Sequence, residues 1–385
     1  MKFPRSGIRI AAVAGALLLA VAATSSHAQG TIKLINVNEL SGAGATVGTN
    51  FKNGADLAVA DINAKGGILG QKVEISHYDT QSNAGTARAQ VQKALDENPY
   101  AILGPNFSGL VKATAPLVKN AGIAQVMGGE AGELTQMGMP SLFRTSFGQQ
   151  SSMPKIAKYI ADDVKAKSVA VIWVNNDFGK GGRDAIVKDF GARGVKVVAD
   201  ISTESGQADF SADVQKIKQA KPDAVFIYLN EEESARILRE IKRQALNVPL
   251  LGETTLLSQK VIDLAGDAAT GVKGHVGLTT DANIPLVQDF RKRFVAKYNY
   301  VPDHNGLKGY IAVYMIKAGT EKIGKVDRKG LSDALHGLSI NAKAEPGVLM
   351  DVSIDKNGDI DRESFLGEVV NGKQVITKTL PKLNP

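Results

Sequence analysis

Ser108 is placed to hold an anion. It follows Leu103-Gly104-Pro105-Asn106-Phe107, where a short apolar stretch ends and a helical pattern begins. The first N–H groups of a helix lack partners inside it, and a serine hydroxyl beside them suits a carboxylate. The same serine would serve equally as an ordinary helix cap. The stretch Asp355-Lys-Asn357-Gly358-Asp359-Ile-Asp361 imitates a calcium loop. Such a loop needs Gly at its sixth position and Glu at its twelfth, and here Ile360 and Leu366 stand there. A hairpin turn centred on Asn357-Gly358 fits better.

A third cluster imitates a dinucleotide site. Gly42-Ala-Gly44-Ala-Thr-Val-Gly48 lies between a strand and a helix, and Asp79 ends the next strand. A nicotinamide-dependent oxidoreductase is the rival this suggests. The glycine spacing departs from the fingerprint, and a tight turn beside a cleft is the plainer reading. Other chemistries are excluded by what is missing. There is no Cys, and of the five His residues (27, 77, 275, 304 and 336) no two stand at metal-ligand spacing. No nucleophile elbow, phosphate loop or zinc-protease motif occurs. The expectation is therefore a protein that is not an enzyme, with no cofactor and no metal.

The first residues read as a secretory signal. Lys2, Arg5 and Arg9 precede an apolar run over 10–23, and Ser26-His27-Ala28 offers small residues ahead of Gln29. The run is shorter than the roughly 20 residues that span a bilayer. The expected product is exported to a periplasm and cleaved near Ala28/Gln29, as a monomer. The formal charge of +7 comes partly from these three cations, and the remaining positives form no run. Nucleic acid is not an expected partner.

The 357 residues from Gln29 onward fit two domains. Strand-like and helix-like segments alternate from 32 to 126, and the pattern restarts near 143–149. Alternation of this kind predicts parallel sheets covered on both faces. Helical stretches at 286–297 and 307–317 look like additions to the first unit. The end, from 347, is strand-rich, with turns at Asn357-Gly358 and Asn371-Gly372.

The segment from Gly54 to Gly70, GADLAVADINAKGGILG, resembles the periplasmic solute-binding proteins of branched-chain amino acid ABC transporters. Ser41-Gly42, Tyr78-Asp79, Glu133-Leu-Thr-Gln136 and Asn176-Asp177-Phe178-Gly179 agree with it. The stretch from Ala265 to Gly271 does too, with Thr270 where the family often has Glu. The resemblance implies a type I periplasmic binding protein: α/β, with two doubly wound parallel-sheet lobes joined by a hinge of short crossovers. It implies a signal over 1–28, a first lobe from 29–146 and 277–338, and a second from 147–276 and the strands of 339–385. It implies that the chain closes on a small solute, most simply an amino acid, and hands it to membrane permease subunits driven by a separate ATPase. Aromatic acids, amides and urea-like solutes are the alternatives in the same fold.

The resemblance also gives roles. Ser108 is aligned with the family's carboxylate-binding serine. The loop Met127–Gly132 would meet the ligand head group, with Glu130 or Ala131 where the family often has Thr or Ser. Phe178 would cover the ligand side chain. Glu253, with Glu231 in reserve, would pair with an ammonium. Val47, Phe107, Gly129, Asn230 and Thr254 complete the expected lining. One expectation concerns the product itself: N-terminal sequencing of the periplasmic fraction should begin near Gln29. Residues 1–28 retained in a membrane fraction would contradict it.

Overall fold

The computed structural model describes Met1 and residues 30–383. The expected signal, apart from Met1, lies outside the described residues. The first lobe begins with β1 (Ile32–Asn38), α1 (Ala45–Ala64), β2 (Val73–Asp79), α2 (Ala84–Asp96) and β3 (Ala101–Leu103). It continues with α3 (Ser108–Ala121), β4 (Gln125–Met127) and β5 (Leu142–Arg144). The strands form one parallel sheet, ordered β2-β1-β3-β4-β5. Side chains alternate across a strand, so β1 feeds two cores. Ile32 and Leu34 pack with α1, while Ile35 and Val37 pack with α2 and α3.

The chain then crosses through 145–148 into the second lobe. This contains α4 (Gln149–Asp162), β6 (Ser168–Val174), α5 (Asp177–Ala192), β7 (Lys196–Thr203) and α6 (Ser211–Ala220). After them come β8 (Ala224–Tyr228), α7 (Glu231–Arg243), β9 (Leu250–Gly252), α8 (Gln259–Ala265) and β10 (Lys273–Val276). Val169 and Val171 of β6 face α4 and α5, and Ala170, Ile172 and Val174 face α6 and α7.

A second crossover, 277–284, returns the chain to the first lobe. There α9 (Pro285–Tyr298), α10 (His304–Ile323) and α11 (Arg328–Leu335) join its core. So do the short strands β11 (Ser339–Ile340), β12 (Val352–Ile354) and β13 (Ile360–Asp361). This corrects the expected boundary at 339. Ile340, Val348, Val352, Ile354 and Ile360 are buried against α10 and β1 of the first lobe. Only β14 (Ser364–Val370) and β15 (Lys373–Leu380) belong to the second lobe, as antiparallel strands on the edge of its sheet, ordered β15-β14-β10-β9-β8-β6-β7. The third crossover is therefore at 362–363.

The two misleading motifs resolve as turns. Asp355 accepts the N–H groups of Asn357 (2.7 Å) and Asp359 (2.9 Å), closing the β12–β13 hairpin. Asp79 accepts from Leu40 N, Ser41 N, Ser41 Oγ and Gln81 N, so its carboxylate pins the β1–α1 loop. Among the described residues no group of His, Asp and Glu could hold a metal ion. No described helix is long and apolar enough to cross a membrane.

One contact fixes α10. A Cβ on Gly54 of α1 would stand 2.0 Å from Gly306 O, and one on Gly309 of α10 would stand 1.9 Å from Phe51 O. The two helices touch backbone to backbone, which no larger residue permits. Gly54→Ala should therefore cost about 1–3 kcal/mol through overpacking. Gly191→Ala, at an open helical position with nothing within 4 Å of the new carbon, should be neutral or stabilising by up to about 1 kcal/mol. Urea denaturation of both variants checks the pair. Equal effects would show that the close approach is not limiting.

Candidate solute site between the lobes

The first-lobe wall is built on a buried carboxylate. β1 ends at Asn38, and Glu39 turns inward with no exposed surface. Its two oxygens accept from Asn106 N (3.1 Å) and Phe107 N (2.9 Å), fixing the loop ahead of α3. Burial pushes the Glu39 carboxyl up to about 7, against the pull of those two N–H groups. Among the described residues, the next N–H groups, of Ser108 and Gly109, have no acceptor, and both residues line the cleft. Ser108 is the first helical residue rather than the cap, which is Phe107. Its Oγ accepts from Glu130 N (3.2 Å) and Ala131 N (3.1 Å), leaving the hydroxyl proton to donate. A helix N-terminus with two open N–H groups and a hydroxyl is an anion site.

Behind the β4 loop lies Arg144, fully buried. It donates to Gly129 O, to Ala131 O (3.0 Å) and to Asp359 (3.0 Å). Taking the loop's carbonyls from behind turns its N–H groups toward Ser108. Beside the loop, α10 begins. Asp303 caps it by accepting from Asn305 N and Gly306 N, and His304, Asn305 and Lys308 face the cleft. Burial, then the Lys308 charge, pushes His304 down to about 3, so the ring is neutral. Burial would raise the Glu130 carboxyl, but Lys308, with His304 and Arg144, more than offsets it and holds the group below the usual carboxylate range.

The second lobe supplies the opposite wall. Asn176 caps α5 by accepting from Gly179 N (2.9 Å). Phe178 stacks on Tyr228 with ring centroids 4.2 Å apart, and Gln149 donates to the Tyr228 hydroxyl (3.0 Å). At the start of α7, Glu231 is 7% exposed. Its Oε2 lies 3.7 Å from Lys260 Nζ, and its Oε1 is buried without a partner. Burial, with the Asp303 charge across the cleft, raises it to about 7 despite Lys260. The lobes meet on both sides. Lys260 donates to Thr46 of α1 (2.9 Å), and Lys112 of α3 joins Glu133 (2.8 Å) to Asp177 of α5 (3.1 Å).

Between these walls lies a cavity of about 390 Å³. Seven expected residues line it: Val47, Phe107, Ser108, Glu130, Phe178, Asn230 and Glu231. Four do not. Gly129 packs on Leu134 and Val111, and Ala131 is fully buried with its carbonyl on Arg144. Thr254 Oγ1 accepts from Gly277 N (3.0 Å), at the second crossover. Glu253, the favoured ammonium partner, instead has Oε2 at 2.9 Å from His275 Nδ1 beneath that crossover. Burial raises its carboxyl. Sequence reasoning missed Asn106, Asn176, Lys260 and the three α10 residues. The signal for the last was available: His304, Asn305 and Lys308 are polar residues just ahead of the apolar stretch 310–316.

Residues 31–374 match the model of the periplasmic binding protein family. The chain belongs to that family. Among its relatives is a Leu/Ile/Val-binding protein of Rhizobium johnstonii, 29% identical, covering 88% of this chain and 91% of the relative. Two solved structures share the fold. A branched-chain amino acid transporter substrate-binding protein of Streptococcus pneumoniae, in complex with isoleucine, aligns with TM-score 0.82 at 24% identity, over 92% of this chain and 100% of that one. An ABC transporter solute-binding protein of R. palustris, in complex with benzoate, aligns with TM-score 0.83 at 23% identity, over 92% and 98%. Both confirm the type I architecture of this binding protein.

Glu39 gives the binding protein a pH signature. A carboxyl raised on folding stabilises the fold fully below its unfolded value, near 4.5, and that contribution is lost as pH rises through about 7. Glu39→Gln removes the titration. Whatever constant cost the amide brings, wild type should lose stability relative to the variant, by roughly 2–3 kcal/mol, between pH 4.5 and 8. Urea melts of both proteins across that range measure it. A flat difference would mean that Glu39 is not buried as described.

Proposed function

We propose that this periplasmic binding protein captures an amino acid by lobe closure and delivers it, as a monomer, to the permease of an ABC importer. One observation carries the reading. The cavity has an anion-binding end on one lobe, at Ser108 and Gly109, and a buried carboxylate oxygen without a partner on the other, at Glu231. A zwitterion answers both. Its carboxylate takes the N–H groups and hydroxyl of α3, and its ammonium takes Glu231 Oε1, a charge-assisted bond in a water-poor site. Glu231 thus replaces Glu253 in the ammonium role. Val47, Phe107 and Phe178 offer apolar surface for the side chain. The lobes close by movement at the three crossovers, which bury the solute from both sides.

A second reading keeps the same anion site. Phe107 and Phe178 could sandwich an aromatic acid, as suits a fold that holds benzoate in a relative. That ligand would leave Glu231 Oε1 without a partner.

A thermal-shift screen of amino acids and aromatic acids identifies the solute class, since ligand at about 100 times its Kd adds roughly 2.7 kcal/mol. Calorimetric titration then separates the readings. Ser108→Ala should weaken either class about 10- to 150-fold. It also leaves two backbone N–H groups unpaired, so a fall in melting temperature is expected beside it. Glu231→Gln should weaken leucine at least tenfold and 4-methylpentanoate, which lacks the amine, less than about threefold. Equal affinities in wild type and Glu231→Gln would sink the zwitterion reading.

A further inference from the structure

Lys308 is a charged residue in the buried, mainly apolar stretch of α10. Its neighbours on α10 from Leu307 to Ile316 are buried, and Lys308 itself is only 3% exposed. A buried ammonium is costly unless it is paired and hydrogen-bonded. Two of its needs are met: Nζ donates to Glu130 Oε1 (2.7 Å) and to Gly128 O (3.3 Å). An ammonium has three N–H donors and no acceptor, and buried donors are almost always satisfied. Among the described residues, no third acceptor lies within hydrogen-bond reach of Nζ.

The position of the pair says where the third bond goes. Lys308, Glu130 and Gly128 all line the cavity. The backbone N–H of Glu130 sits on Ser108 Oγ, so the pair stands at the shoulder of the anion site. Glu130 Oε1 is held by Lys308 and by Ser146 Oγ (3.3 Å), which keeps the carboxylate turned to the lysine. A pair that served only stability would be easily replaced by apolar side chains. This one lies on the wall of a binding cavity, next to two open N–H groups.

We infer that Lys308 is a specificity-determining residue: its free N–H donates to the solute carboxylate at the start of α3, and Glu130 positions the ammonium for it. The inference rests on the solute-binding reading above and narrows it. The solute must carry an ionised carboxylate, and the matched amide must be rejected. A neutral amide offers one carbonyl oxygen to four converging donors, and its NH₂ faces an ammonium.

The test uses three acids, leucine, glutamine and benzoate, each beside its own primary amide, titrated into the exported full-length protein. Lys308→Met alone would orphan Glu130 and could fail to fold. The decisive variant is therefore Lys308→Met/Glu130→Gln, which leaves no lone charge, with Lys308→Arg as the conservative control. Whichever acid binds wild type should bind the double variant about 10- to 100-fold more weakly, with the melting temperature of the free protein kept within a few degrees. The matching amide should bind wild type poorly and change less than about threefold. Lys308→Arg should retain part of the affinity for the acid. A folded double variant that binds the acid as tightly as wild type would assign the pair to structure and overturn the inference. Equal losses for acid and amide would also overturn it, because the lysine would then shape the cavity rather than read the carboxylate. Failure of all three acids to bind wild type overturns the solute reading itself, and the inference with it.

Discussion

The backbone contact between α1 and α10 is the constraint on which the first-lobe wall depends. The chain leaves this lobe after β5 and returns only at α9. Nothing local tells α10 where to lie. Gly54 and Gly309 settle it, because each lets one helix press on a carbonyl of the other. With the axis so fixed, the first residues of α10 must come to the cleft, and Lys308 must meet Glu130 from the β4 loop. The segment from Gly54 to Gly70 that marks the family is thus also the surface that sets the site. Its first glycine acts through packing some distance from any ligand atom.

Charge is distributed unequally between the two walls. On the first lobe each buried charge is answered from within that lobe. Glu39 has two N–H groups, Arg144 has Asp359 and two carbonyls, and Lys308 has Glu130. Such a wall is preorganised and has little to rearrange when a solute arrives. On the second lobe Glu231 keeps one oxygen without a partner. Two of the bonds that join the lobes, Lys260 to Thr46 and Lys112 to Asp177, involve partly exposed side chains. Contacts of that kind contribute little. On the proposed reading, a solute in the cavity would supply further free energy for closure.

Much of the fold was legible in the sequence because it is written in local periodicity. Alternating strand and helix patterns gave both parallel sheets, and the Asn357-Gly358 and Asn371-Gly372 pairs marked real turns. Ser108 was legible because a strand end, a helix start and a hydroxyl coincide in one stretch. The boundary at 339 was not. Strands β11 to β13 look like their successors in composition, and only long-range burial assigns them to the first lobe. The preference for Glu253 over Glu231 rested on too little for a related reason. Both follow a strand of the same sheet, where ligands bind. Which one faces the cavity depends on His275, which lies on the neighbouring strand and takes Glu253 for itself. Lys308 was invisible because its meaning comes from a partner 178 positions away.

The like charges at the cleft suggest how a solute is made necessary for closure. Asp303 belongs to the first lobe and Glu231 to the second, and each is raised above its ordinary range, Asp303 to about 6 and Glu231 to about 7. Burial is the leading cause for both, and the Asp303 charge adds to the rise of Glu231. On the proposed reading, closing the lobes around water alone would set these two carboxyl groups against each other, with Lys260 and Lys308 offsetting part of the repulsion. A ligand can shift that equilibrium only by binding the closed state better than the open one. On the proposed reading, an ammonium seated at Glu231 would do so. It would reduce the repulsion between the lobes as it gains its own partner. A neutral or purely anionic solute would gain the Ser108 wall but would leave the repulsion in place. If the solute is an amino acid, as proposed, the charge that distinguishes it would also be the charge that favours closure.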